Sequence, residues 1–184
     1  MSGMLPDGCT ANSMTDVPMA EPPDDPPQRL LIGSRADLET ALLHLIGRAR
    51  RQLRFAAADL SVLALGDVRP VTAIRAVLLA HPGNHIQLLV DDMAWLDTRA
   101  PRLRALQRDF SHALLIRRAD PQDPVGHDVV GIGDELDVLR LQPTVGIRGE
   151  LWCHHSPLAQ PLISEFDRRW EHASHNQPSQ PLGL

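Results

Sequence analysis

"PVGHDVVGIGD", residues 124–134, is the stretch on which the reading of this chain turns. His127 stands near its start, a run of small and β-branched residues follows, and Asp134 lies seven positions after the histidine. Val129, Val130 and Ile132 favour a short strand. "ELDVLRLQ" reads as a second strand, and a tight turn near Gly133–Asp134 joins the two as a hairpin. "RGELWCHH", residues 148–155, reads as one strand more.

Upstream of this stretch, helical and strand periods alternate. Ser34 is a plausible N-cap with Asp37 three residues later, a capping-box arrangement. Leu38, Ala41, Leu42, Leu45, Ile46 and Ala49 then recur on one helical face, and Arg48, Arg50 and Arg51 sit where they complement the helix dipole. "QLRFAAADL" alternates as a strand. "RPVTAIRAVLLAH" reads as a helix with Pro70 in its first turn, "HIQLLVDD" as a buried strand, and "TRAPRLRALQRDF" as a helix capped by Thr98. "HALLIRR" follows as a strand. Downstream, "SPLAQPLISEFDRRWEHA" reads as a closing helix, with Ser156 as N-cap, Pro157 at its first position, and Leu158, Leu162, Phe166 and Trp170 spaced by four. The order βαβαβ, then antiparallel strands, then a helix, implies an α/β fold: a mixed sheet sandwiched by helices.

Residues 1–28 are rich in Pro, Asp, Ser and Thr without an apolar period, and are expected to be a disordered leader. Residues 29–174 form the expected domain and 175–184 a loose tail. The leader lacks an apolar run after a basic start, so the expected location is the cytoplasm. No run approaches the roughly 18 apolar residues of a membrane span. The net charge of −5 argues against a general electrostatic hold on nucleic acid or anionic lipid. All 18 basic residues are arginine. Schiff-base chemistry and lysine phosphate clamps are therefore excluded, and any anion site must use arginine, histidine or backbone N–H groups.

The order of elements, with His127 at the start of a late strand, resembles one half of the phospholipase D superfamily. That family's signature is His-x-Lys-x4-Asp. His127 fits its first position and Asp134 its last, but Val129 stands where the family has lysine. "IRGELWCHHSPLAQPLISEFDRRWEHA" is similar to the family's strand after the motif and the helix that follows. A closer resemblance is to small bacterial phospholipase D-like domains of unknown function, some fused to acetyltransferases. It is carried by "RARRQLRFAAADLS", "LLVDDMAW", "RLRALQRDF" and "FDRRWEHAS".

The resemblance implies that active members use a histidine to attack phosphorus, a lysine to hold the non-bridging oxygens, and an aspartate to orient or tune a histidine. It also implies that single halves pair as homodimers, and that an acetyltransferase-type protein is a partner. Losing one preorganised donor at such oxygens costs on the order of 10² to 10³ in rate. Strand alternation would place Val129 on the same face as His127, leaving an apolar group where the cation belongs. The Ser/Asn element that follows the family motif is also missing; only Thr144 stands near its place. Arg140 and Arg148, on neighbouring strands, are the candidates for ligand binding in the lysine's stead. The expected function is thus a degenerate, binding or accessory domain without a cofactor. The alternative is a weak phosphodiesterase or nuclease using His127 in a homodimer.

Three other clusters invite a chemical reading. Cys153 and His155, at i, i+2, could share a metal ion with His127, against a plain buried cysteine near a helix start. Asp91 and Asp92, at the end of a strand, could hold Mg²⁺ or cap the turn that follows. Arg99, Arg102, Arg104 and Arg108 form a basic stripe that is either a phosphate contact or a solvated face.

Overall fold

The computed structural model describes residues 27–142 and 146–175. Cys9, Thr144 and almost all of the expected leader and tail lie outside the described residues.

The elements run β1 (Gln28–Ile32), α1 (Arg35–Arg48), β2 (Gln52–Ala57), α2 (Val68–Ala80), β3 (His85–Val90), α3 (Ala94–Arg99), α4 (Pro101–Asp109), β4 (Leu114–Arg118), β5 (Val129–Gly133), β6 (Asp137–Leu141), β7 (Gly149–Cys153), α5 (Ser156–His172) and β8 (Ser174–His175). One sheet carries all the strands, in the order β1-β7-β6-β5-β2-β3-β4-β8. Only β2, β3 and β4 run parallel; every other pairing is antiparallel. The mixed α/β architecture is the one the element order implies.

Strand alternation sends side chains to two faces. One face carries Leu53, Phe55, Ile86, Leu88, Val90, Leu114, Ile116, Val129, Leu139 and Leu151, packed under the apolar stripes of α1, α2, α3 and α4. Each stripe residue named for α1 is buried. Gly131 lets β5 lie flat here, because a Cβ would come within 2.9 Å of the Phe55 ring. Among the described residues, α5 is the helix on the other face. Phe166 and Trp170 stack at 5.5 Å and cover Ala56 and Leu89, while Ala159 and Ile163 cover Ile132 and Val138.

Several local readings change. β1 was not foreseen, and it pairs with β7 along its whole length. The helix expected after Thr98 is two helices: Thr98 lies inside α3, and Pro101 starts α4 after Ala100. A residue before proline is steered away from helical angles, which breaks the run there. α5 is capped by His155, whose Nδ1 accepts from the Leu158 N–H at 3.1 Å, one residue earlier than the Ser156 expected. Ser34 caps α1 as read, accepting from Asp37 N–H. The β5–β6 hairpin is present, its turn taking positive φ at Asp134 and Glu135. No helix among the described residues is long and apolar enough to cross a membrane.

Candidate functional site

Under α5, near the C-terminal ends of β2 and β3, lies a cavity of about 450 Å³. In open α/β sheets the carboxyl ends of the strands are where ligands enter. Its floor is apolar: Ala56, Leu89, Val125, Val130, Leu162 and Phe166. Its rim is polar: His127, Asp128, Arg140, Glu165 and Arg169.

Each rim residue has a local reason for its position. Asp91, at the end of β3, accepts the Val125 N–H at 2.7 Å and the Gly126 N–H at 3.3 Å, pinning the approach to β5. Gly126 takes φ +85°, a conformation open to glycine and strained for other residues. The chain then presents His127, exposed, to the cavity. Arg140 comes from β6 directly opposite Val130, so both face α5. Leu162, Phe166 and Arg169 follow i, i+4, i+7 along α5 and share its inner face.

The rim charges are already matched. Arg140 pairs with Asp128 at 3.5 Å. Arg169 pairs with Asp123 at 3.3 Å and Glu165 at 3.0 Å. Arg168 braces the same carboxylates from outside, and its bonds hold both Asp123 and Glu165 below the usual carboxylate range, with Arg169 adding to the effect.

The residues of the histidine–valine–aspartate signature are not brought together. His127 precedes β5 and faces the cavity. Val129, the first residue of β5, is 2% exposed and packs into the core on the opposite face. The expectation that His127 and Val129 share a face therefore fails, because strand alternation begins only at Val129. Asp134 sits at the far end of β5, roughly 20 Å along the strand from His127 by strand rise. Its carboxylate accepts the backbone N–H groups of Arg50, Arg51 and Gln52, closing the loop between α1 and β2. It does not orient the histidine.

Of the two arginines proposed for ligand binding, Arg140 lines the His127 cavity. Arg148 lies instead in a shallower concavity of about 230 Å³ with Arg29 and Glu150, with Arg140 on the ridge between the two. The metal reading of Cys153 and His155 is not supported. β7 ends at Cys153, His154 turns the chain with φ 56°, and His155 is occupied as the helix cap. Cys153 is buried, which pushes its thiol pKa up. Among the described residues no group of three His, Cys, Asp or Glu gathers at metal-binding spacing. Asp92 accepts from Ala94 N–H at the start of α3, so the aspartate pair at 91–92 acts as loop pin and helix cap. In the arginine stripe, Arg104 is bound to Asp97 and Gln107.

Reading the sequence alone missed Asp128, Glu165 and Arg169 as rim residues. The spacing of Arg169 from Leu162 and Phe166 was the available signal. A second polar network also went unread. Arg48 Nε donates to buried Asp137 at 2.7 Å, Asp137 accepts the His154 N–H at 2.9 Å, and the Arg48 guanidinium meets the His154 ring. It ties the end of α1 to β6 and β7.

The fold is phospholipase D-like. Nuc from Salmonella typhimurium, a phospholipase D family member, superposes with a TM-score of 0.64 at 15% identity over 83% of this chain and 99% of its own. NucT from Helicobacter pylori gives 0.56 at 12% identity, covering 82% and 100%. TrmBL2, an archaeal chromatin protein, gives 0.61 at 16% identity, covering 86% and 56%. By sequence, the chain belongs to the family described as Domain of unknown function (DUF7931), whose model matches residues 34–180. No curated protein matches it.

Proposed function

We propose that this chain is a catalytically degenerate phospholipase D-like domain that binds a small amphipathic anion in the His127 cavity. The observation that carries this reading is the opposite orientation of His127 and Val129. The position where the resembling family keeps its lysine lies across the sheet from the imidazole, inside the core. The cavity's own guanidinium groups are each held by a carboxylate. Transition-state stabilisation at a phosphoryl group needs donors preorganised toward developing charge, and these are turned toward Asp128, Asp123 and Glu165. An apolar floor with a few polar groups at the rim is the build of a small-molecule site.

The test has two arms. Release of p-nitrophenol from bis(p-nitrophenyl) phosphate, with and without divalent metal, is expected to be equal for wild type and His127→Ala. Calorimetric titration with phenyl phosphate is expected to show binding that weakens about tenfold in Arg140→Gln, the equivalent of about 1.4 kcal/mol. A rate that falls with His127→Ala overturns the binding reading.

One observation favours a second reading, a weak phosphodiesterase or nuclease in a homodimer. His127 is exposed and shares its cavity with Arg140 and Arg169. Arg140 is bound to Asp128 only loosely, at 3.5 Å, so a phosphodiester competing for it could gain one cation. Sedimentation of the wild type, run beside the hydrolysis assay, separates an active dimer from an inert monomer. The acetyltransferase partner rests on the family resemblance, and failure of such a protein to bind the purified chain would remove it.

A further inference from the structure

Among the described residues, His127 is the one titratable side chain of the cavity that makes no hydrogen bond or ion pair. The other ionic groups of the lining are matched. Arg140, on β6, is paired with Asp128, and on α5 Arg169 is paired with Glu165. The lining thus holds two guanidinium groups and two carboxylates. Behind it stand Arg168, bound to Asp123 at 2.6 Å, and Asp91, at the end of β3. Asp91 lies under the loop that carries His127 and accepts the N–H groups of Val125 and Gly126. On either count the cations do not outnumber the carboxylates. While the imidazole is neutral, the site has no positive charge to spare for an anion.

Protonation changes that sum by one. Histidine side chains ordinarily change charge between roughly pH 5 and 8. An imidazolium has two N–H donors and no acceptor. His127 would present them from an exposed position at the edge of the apolar floor. The carboxylates on the α5 side keep their charge through that range, because hydrogen bonds from Arg168 hold Asp123 and Glu165 below the usual carboxylate range. An anion beside an imidazolium favours the charged form, so proton and anion strengthen each other's binding reciprocally. One added charge matches one negative charge on the ligand.

We propose, resting on the reading of this cavity as an anion site, that its ligand is an amphipathic monoanion bound together with a proton on His127. Affinity is then highest at acid pH and is lost as pH rises through the imidazole range. The probe is benzenesulfonate, whose charge does not change across that range, and the control is methyl phenyl sulfone, of similar shape without charge. In calorimetric titration of the full chain, the sulfonate is expected to bind about tenfold more tightly at about pH 5.5 than at about pH 8, and the sulfone equally at both. Near pH 7, buffers of different ionisation enthalpy are expected to reveal uptake of part of a proton with the sulfonate. In His127→Gln, a change at an exposed position, the proton uptake and the pH dependence are expected to vanish. Sulfonate affinity that is equal at the two pH values, or a pH dependence that survives in His127→Gln, overturns the proposal and leaves the cavity an anion site. No sulfonate binding at either pH overturns the proposal and the anion-site reading together.

Discussion

Leu53, Phe55, Leu88 and Val90 point to one side of the sheet and disappear under four helices. Arg54, Ala56, Gln87 and Leu89 come from the same two strands, point to the other side, and meet one helix. On the four-helix side the packing is largely apolar, and the buried Asp137, held by Arg48 at 2.7 Å, sits at its margin by the end of α1. On the α5 side Arg54 is bound to Asp167 at 3.3 Å, Gln52 Nε2 donates to Gln87 at 3.0 Å, and Arg117 lies 4.5 Å over the Trp170 ring. Where one helix must cover a wide sheet, polar groups reach its underside and space is left over. The cavity and the arginine-lined concavity are that leftover space. The closed face supplies most of the core, and the half-covered face supplies the residues that line both hollows.

The contrast can be broken most directly from the closed side. Phe55→Ala is expected to cost about 3–5 kcal/mol in urea denaturation, as for other large core truncations. Val129→Lys puts an unmatched charge into the same core and is expected to cost about 3 kcal/mol or more, without creating hydrolysis of bis(p-nitrophenyl) phosphate. Val129→Met, the apolar control, should stay within about 1.5 kcal/mol. A stable, hydrolytic Val129→Lys would show that this position can swing to the cavity, and the division between the faces would fail.

Asp134→Ala removes a carboxylate that holds three backbone N–H groups and is expected to cost about 1–2 kcal/mol, leaving the NMR shifts of the His127 ring unchanged. A shift of that ring would revive a coupling between the two residues. Arg140→Gln, on the half-covered side, is expected to change stability by no more than about 0.5 kcal/mol.

The smallest effect concerns acid. Asp123 and Glu165 titrate below the usual carboxylate range in the folded state, chiefly through Arg168. Their contribution is therefore present above the ordinary value of about 4 and is lost as pH falls through the lower folded values. Amide exchange at residues 123–126 should accelerate across that window before exchange in β2 and β3 does. Simultaneous acceleration in both regions would mean that the rim carboxylates carry no separate stability.

Much of the closed face was legible because it obeys local rules. The capping of α1 by Ser34 and its run of buried leucines are written within a dozen residues. β1 was not legible. Four of its five residues are exposed, so no alternation marks it, and its partner β7 lies more than a hundred residues away. The break between α3 and α4 was visible in Pro101, but Thr98 offered a competing cap. His127 and Arg140 were found through the family signature and strand adjacency. Asp134 and Val129 were misjudged because the signature implies a shared site, while backbone geometry sends the three residues to three places. Arg169 and Glu165 were hidden because an arginine–glutamate helix face looks solvated until a sheet is placed beneath it.

α5 has a consequence for biogenesis. Ribosomes deliver the chain from its first residue, so the apolar strip of Ala56, Leu89, Ile132 and Val138 is made before the helix that, among the described residues, shields it. A nascent polypeptide halted ahead of residue 156 would display that strip to its neighbours and invite clumping or chaperone capture. Premature termination would thus yield no smaller working version of this domain, only a sticky remnant.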